Sequence, residues 1–334
     1  MADSFSDIGR IEAIDQLYRL SAYNPVSGLS FLSAKGGRIV TASRMYLEGI
    51  DFNLVYFPLK HLGYKCVVGT VGELYAALAH PRLLNVVLGI SAKLDFPQIK
   101  ELWLGITVAA KEHGFEAVNL DLQPSNNGLF LSMSATGETQ LLTDKRRMAA
   151  KSKDLICVSG SLGAAFLGMQ VMERGAKSFQ ATGEQPDMNQ YKMLVGAYLR
   201  PELDASVVER LEDVEIYPSY GYFVTRGLSD ALKRLTRDSG LGAKVYADKI
   251  PFEGNSFQLG KELDMDPVSA AMNGGDDNRL LFVIPILHLE KFRREFQTFD
   301  IIGHLAQPDA GTVLVTPEGL EFPVKAQGWP ENDA

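Results

Sequence analysis

With 334 residues the chain is too long for one ordinary compact core and suits two domains. Its content of 46% apolar and 22% charged residues is that of a globular protein and excludes a disordered or low-complexity chain. The net charge of -8 is spread along the chain, and the densest basic run, Lys145-Arg146-Arg147 with Lys151 and Lys153, is short and flanked by acids, which argues against nucleic acid as a partner.

The N-terminal Met-Ala-Asp-Ser-Phe-Ser-Asp has neither a basic n-region nor an apolar core, and no apolar run approaches the ~18 residues of a membrane span. A cytoplasmic protein without membrane contact is expected. Cys66 and Cys157 sit singly in apolar runs, and the histidines at 61, 80, 113, 288 and 304 are scattered, so neither a disulfide framework nor a zinc site is expected.

In chain order, Ile8, Ile11, Ile14 and Leu17 recur at helical spacing behind Ser6 and Asp7, which predicts a first helix ending near Ala22. Phe31-Leu32 and residues 38 to 41 read as paired strands around Lys35-Gly36-Gly37. Residues 40 to 52 read as a strand leaving the core and then a polar turn. Arg44 is its centre: an always-charged side chain in such a place needs an anion or a carboxylate nearby.

Residues 54 to 59 read as extended, 63 to 71 as an apolar strand containing Cys66, and 73 to 80 as a short helix stopped by Pro81. An aliphatic strand over 83 to 90 precedes a helix with Asp95 as cap, Pro97 in its first turn and Gly114 as its stop. Strands over 117 to 122 and 129 to 135 complete a βαβ-rich first domain.

The polar, basic stretch from Thr143 to Lys153 sets the expected boundary, giving domains 1-150 and 151-334. Beyond it come a strand over 155 to 159, the turn Gly160-Ser161-Leu162-Gly163 and a helix over 164 to 173. Such a unit presents backbone N–H groups to an anion, or simply serves tight packing; it matches no full P-loop. Helices over 191 to 199 and 228 to 235, strands over 243 to 246 and 279 to 284, and a terminal hairpin of 312 to 316 with 320 to 324 make the fold class α+β.

Asn273-Gly274-Gly275-Asp276-Asp277, followed at once by a strand, brings a backbone close to a ligand with carboxylates facing it, or forms an ordinary turn with solvated acids. Asp121, at the end of a buried strand, is a single carboxylate, which alone does not usually hold Mg²⁺.

Several segments in order resemble thiamine-monophosphate kinase, of the aminoimidazole-ribonucleotide-synthetase superfamily: Leu47-Glu48-Gly49-Ile50-Asp51-Phe52, Pro58 to Lys65, Leu155 to Ala165, Asn273 to Asp277, and Lys325-Ala326-Gln327-Gly328-Trp329. The resemblance implies two αβ domains, the first with a sheet that forms a dimer barrel and the second with a mixed sheet. It also implies a homodimer and phosphoryl transfer from ATP to thiamine monophosphate in a cleft lined by Mg²⁺-binding aspartates, where the metals are the catalytic apparatus.

This chain departs from that pattern. The family's early Gly-Asp-Asp falls on Val26-Ser27-Gly28, and its strand aspartate falls on Arg44. The Asn-Phe/Leu-Ser-Asp motif that opens the next helix falls on Thr70-Val71-Gly72-Glu73, and Gly-Gly-Asp-Thr-Thr falls on Asn119 to Gln123, keeping only Asp121. Asp-Ile-Ser-Asp-Gly falls on Phe223-Val224-Thr225-Arg226-Gly227, losing both acids.

The residual acids are Glu73, Asp121, Asp276 and Asp277. The anion or nucleotide candidates are Arg44, Arg147, Arg226, Gly160 and Gly163, and the substrate-side candidates are Glu48, Asp51, Gly274, Gly275 and Trp329. No resident metal or other cofactor is expected; Glu73 and Asp121 are the metal candidates, and a rebuilt kinase site would draw on Glu73, Asp121, Asp276 and Asp277 together. Three functions stay open: a catalytically degenerate binding or scaffold dimer, an ATP- and Mg-dependent thiamine-phosphate kinase with a rebuilt site, and a metal-independent sensor of a phosphorylated metabolite. The arginines either pair with Glu73 and Asp121 or hold a phosphate directly.

Overall fold

A computed structural model of the chain describes residues 29–184 and 186–326, with Glu12 besides. The first helix predicted from the sequence and the Val26-Ser27-Gly28 segment lie outside the described residues.

The first part runs β1 (Leu29–Ala34), β2 (Gly37–Leu47), α1 (Leu59–Ala76), β3 (His80–Ser91), α2 (Phe96–Glu112), β4 (Ala117–Ser125) and β5 (Phe130–Glu138). Its strands form a five-stranded sheet in the order β1-β2-β5-β3-β4. β2 pairs antiparallel with both β1 and β5, with Arg44 opposite Met133, and β3 runs parallel to the edge strand β4. The turn at Gly36-Gly37 closes the predicted hairpin. α2 begins as its sequence says, on a capping box in which Asp95 accepts the Gln98 N–H and Gln98 returns to the Asp95 N–H.

A short helix, α3 (Leu141–Arg146), occupies the start of the stretch expected to be a bare connector. The second part continues with β6 (Leu155–Ser159), α4 (Ala164–Thr182), α5 (Lys192–Leu199), α6 (Val207–Asp213), β7 (Tyr220–Val224), α7 (Leu228–Ser239), β8 (Gly242–Tyr246), α8 (Ser256–Leu263), α9 (Pro267–Asn273), β9 (Arg279–Ile284), α10 (Leu289–Glu295), β10 (Phe299–Ala306), β11 (Thr312–Val315) and β12 (Glu321–Pro323). Its strands form a seven-stranded sheet, β12-β11-β8-β10-β6-β9-β7. That sheet is mixed: β11 and β8 are parallel and the other pairs antiparallel. The α+β class is the observed one. No helix among the described residues is long and apolar enough to cross a membrane.

The main departure from the sequence reading is α1. Residues 54 to 56 form a turn rather than an extended segment, and residues 63 to 71 are helical, not a strand. The same helix continues through Glu73, so no separate helix begins there, and Pro81 lies inside β3. Every residue from Leu62 to Ala76 is buried except Glu73, because α1 packs on the first sheet with one side and on β7 and β9 of the second with the other. A helix covered on both sides carries no polar stripe, so its apolar run has no helical period to read.

The two sheets share one core through this helix, which joins Val67, Val71 and Leu74 of α1 to Leu131 and Met133 on one side and Phe223 and Phe282 on the other. The approach is close enough that a Cβ on Gly72 would lie 2.2 Å from the Phe223 ring, and one on Gly221 would lie 2.0 Å from the Ala76 carbonyl oxygen. A second core lies on the far side of the larger sheet, under α7 and α9.

A cluster of interleaved charges at the contact of the two sheets

Strand alternation puts Val40, Ala42, Arg44 and Tyr46 on the face of β2 that α1 covers. The buried Tyr46 hydroxyl donates to the Cys66 carbonyl oxygen at 2.8 Å and lies 3.0 Å from Thr70 Oγ1, which pins the strand to the helix. Beside it the Arg44 guanidinium sits over the Tyr46 ring, 5.4 Å from its centroid. Burial acts to lower the Arg44 pKa, but the Tyr46 oxygen and the carboxylates of Glu73, Asp276 and Asp51 outweigh it and raise the pKa. Arg44 therefore faces acids of its own chain.

Asp51 lies in the turn after β2, where its carboxylate accepts the Leu47 N–H at 2.8 Å. Burial raises its pKa, against the pull of that N–H and of Arg44, and Arg226 acts on it too. Arg226 is exposed between β7 and α7, and it is its charge that acts on Asp51.

The residue that sequence reasoning missed is Lys65. It is 6% exposed, and its ammonium lies 3.1 Å from Asp276 Oδ2. The same ammonium is 3.8 Å from the centroid of Tyr198 on α5 and 5.2 Å from that of Phe57. One charged residue inside the otherwise apolar Gly63-Tyr64-Lys65-Cys66-Val67 was the available signal, since a buried ammonium requires a partner. Lys65 thus pairs with Asp276, while the charges of Glu73, Asp276 and Asp51 act on Arg44 and that of Arg226 acts on Asp51, three cations set among three carboxylates.

Asp276 and Asp277 point to different neighbours. The loop holds Gly275, Asp276 and Asn278 at positive φ (83°, 65° and 52°), and the Asp276 N–H donates to the Thr225 carbonyl. Gly274 leaves room for Phe166, whose Cβ would lie 2.6 Å from any side chain there. The buried Asp277 carboxylate accepts the N–H groups of Gly163 at 2.9 Å and Ala165 at 3.4 Å, filling the N-terminus of α4. Burial pushes its pKa up to about 7, against those N–H groups and Arg279. The Gly160 N–H is likewise spent on the Thr298 carbonyl at 3.2 Å. The glycine turn that could have offered donors to an outside anion serves the chain's own groups.

The other candidates lie elsewhere. Asp121 is exposed on the edge strand β4, paired in register with Val87 on the sheet face opposite Leu84, Val86 and Leu88. It bonds its own neighbours Leu122 and Gln123. Glu48 accepts the Leu129 N–H at 2.7 Å and fastens β2 to the start of β5. Arg147 donates to the Ala77 carbonyl at 3.3 Å, and burial, helped by Arg38, pushes its pKa down to about 10. Arg38 and Arg44 are six residues apart on β2, about 20 Å, so Arg147 and Arg44 do not form one clamp. Trp329 lies outside the described residues.

No three His, Cys, Asp or Glu side chains converge as metal ligands among the described residues. What this cluster offers chemically is a neutralised patch of charge, from the buried Lys65 to the exposed Arg226, at the contact of the two sheets.

The AIR synthase related protein N-terminal domain matches residues 29–139. The thiamine-monophosphate kinase of Methanospirillum hungatei is 26% identical over 297 residues, 89% of this chain and 90% of that one. Among solved structures, AaThiL complexed with AMPPCP and TMP superposes with a TM-score of 0.81 at 19% identity, covering 98% of this chain and 99% of that one. The E. coli hydrogenase maturation protein HypE gives 0.67 at 15% identity, covering 96% and 98%.

Proposed function

We propose that this chain, a divergent relative of the thiamine-monophosphate kinases with an AIR-synthase-related first domain, is a catalytically degenerate member that binds or scaffolds rather than transfers phosphate. The observation that carries this reading is that the Lys65 ammonium holds Asp276 at 3.1 Å, with the charge of Arg44 set against Glu73, Asp276 and Asp51 beside it. Metal-assisted phosphoryl transfer needs carboxylates free to hold Mg²⁺ against the phosphates. Here Asp276 is held by an ammonium, and an arginine stands among the remaining acids. Two unit charges about 4 Å apart interact by about 4 kcal/mol at an effective dielectric of 20, and a divalent ion doubles the repulsion. The residues present do not fit a divalent metal.

A homodimer joined through the first sheet belongs to the same proposal. The face of that sheet opposite α1 pairs hydroxyls, Thr41 with Thr136 and Ser43 with Ser134, and exposes Met45. Light scattering of the purified chain reads the copy number, and a monomer at micromolar concentration would remove this part.

Kinase and ATPase assays with ATP, thiamine monophosphate and Mg²⁺ or Mn²⁺ test the main reading. No turnover is expected. Turnover near the ordinary enzyme range of about 1–10³ s⁻¹ would overturn it in favour of an active kinase rebuilt around Glu73, Asp121, Asp276 and Asp277.

A further inference from the structure

On α4, Val171, Arg174, Gly175 and Ser178 fall at i, i+3, i+4 and i+7, which puts them on one face of the helix. Leu259, Glu262 and Leu263 repeat that spacing on α8. These two faces and the segment 186–191 surround an open cavity of about 270 Å³. Its floor is apolar: Val171 and Leu259 are buried in a small core, and Met188 and Leu263 pack against it. Its mouth is charged, since Arg174, Asp187 and Glu262 are exposed. Gly175 lets the wall close, because a Cβ there would lie 2.1 Å from Met188 Cε and 3.1 Å from Pro186 Cγ.

We infer that this cavity binds a free α-amino acid with an apolar side chain, with Arg174 receiving its carboxylate, Asp187 its ammonium and the floor its side chain. None of the lining residues belongs to the charge cluster between the sheets, so the inference stands whether or not the chain transfers phosphate.

The charges at the mouth decide the ligand class. Glu262 is already engaged, accepting the Tyr191 hydroxyl and the Gln258 amide at 3.2 Å, and so holds Tyr191 as part of the wall. Asp187 accepts the Asn189 N–H at 2.9 Å through Oδ1, which leaves Oδ2 without a hydrogen bond among the described residues. Arg174 acts on Glu262 and Tyr191 by charge and forms no salt bridge among the described residues. One guanidinium and one carboxylate oxygen remain for a guest. A guest that carries a carboxylate and an ammonium satisfies both, and charge-assisted hydrogen bonds of this kind are the strong ones. The size agrees: cavities for drug-sized ligands run from about 300 to 1,000 Å³, and this one suits a smaller body. Met188, flexible at its end, adjusts the floor to side chains of different shape.

The test is titration calorimetry of the full chain with L-leucine and L-phenylalanine. At least one is expected to bind with a Kd of about 1 mM or tighter. The amines that lack the carboxylate (isopentylamine, phenethylamine) and the acids that lack the ammonium (4-methylpentanoate, 3-phenylpropionate) are each expected to bind at least about tenfold more weakly, the loss of one charge-assisted contact. Arg174→Gln is expected to weaken the amino acid about tenfold while leaving the amine unchanged, and Asp187→Asn to weaken the amino acid while leaving the acid unchanged. Ser178→Trp fills the cavity from an exposed helical position and is expected to abolish binding. These substitutions are at exposed residues, and an unchanged melting temperature without ligand checks that each variant is folded. No binding of either amino acid at about 10 mM, an amine that binds as tightly as its amino acid, or binding that survives unchanged in both R174Q and S178W overturns the inference. The kinase assay is independent of all these outcomes.

Discussion

Lys65 and Asp276 meet at 3.1 Å across the contact of the two sheets, and the cation is the more deeply buried partner, at 7% side-chain exposure against 31%. The pair is therefore asymmetric. Removing the carboxylate strands a buried ammonium, while removing the ammonium leaves a carboxylate that water still reaches. D276N is expected to cost about 3 kcal/mol and Lys65→Met about 1 kcal/mol, read as shifts in urea midpoint at constant m-value. Equal costs would show that the ammonium is better solvated than the geometry indicates.

The close approach of α1 to β7 makes a second expectation. A methyl group on Gly72 falls 2.2 Å from the Phe223 ring; Gly72 is buried and Phe223 belongs to the shared core. Gly72→Ala should therefore destabilise by about 1–3 kcal/mol through overpacking, although alanine in place of a helical glycine ordinarily helps. Pairing it with Phe223→Leu should recover much of the loss in a double-mutant cycle. Additive losses would place the strain elsewhere.

His80 gives a pH dependence with a defined sign. Its Nε2 lies 2.9 Å from Glu212 Oε2, and Glu212 also accepts from Gln140 at 2.8 Å and Thr143 at 2.6 Å. The hydrogen bond to Glu212 raises the His80 pKa, with burial and Arg82 acting against it and the charges of Glu212 and Glu209 in its favour. A raised histidine contributes stability that is fully present below its unfolded value of about 6.5 and is lost as pH rises through the folded value. The melting temperature of the wild type should accordingly fall more steeply above about pH 6.5 than that of His80→Gln. Parallel curves would assign no linkage to this histidine.

Asp277 acts in a lower window. Burial holds its folded pKa up to about 7, above the unfolded value of about 3.9. The folded chain then binds the extra proton between those values, so stability falls as pH rises from about 4 to about 7. Asp277→Asn keeps a carbonyl oxygen for the Gly163 N–H and removes the titration, so its stability should change less over that interval. The same slope in both chains would show that Asp277 stays ionised when buried.

Local punctuation made much of the fold legible. The Gly36-Gly37 hairpin, the Asp95 cap and the strand after Asp277 are each written in a few adjacent residues. The class followed from the number and order of such elements. α1 was not legible, because a helix covered on two sides loses its period, and the covering sheet contributes β7 and β9 from far along the chain. The site divides in the same way. The need of Arg44 for a countercharge could be read from its place in an apolar strand, whereas its actual neighbours, Asp51 and Asp276 with Glu73, come from three separate elements. Lys65 was hidden by the same misreading that made its helix a strand. Asp121 and Arg147 occupy matching positions in the sequence pattern but end on a different face and at a different end of the sheet.

The position of α1 also bears on how the chain is made. During synthesis the helix and the first sheet leave the ribosome well before β7 and β9, so a partly made chain presents the Phe223-facing side of α1, including Gly72, with nothing yet laid over it. Until the later strands arrive, that bare side is an adhesive surface for other nascent chains. The order of translation thus sets a window of aggregation risk whose length is the time needed to deliver the second sheet.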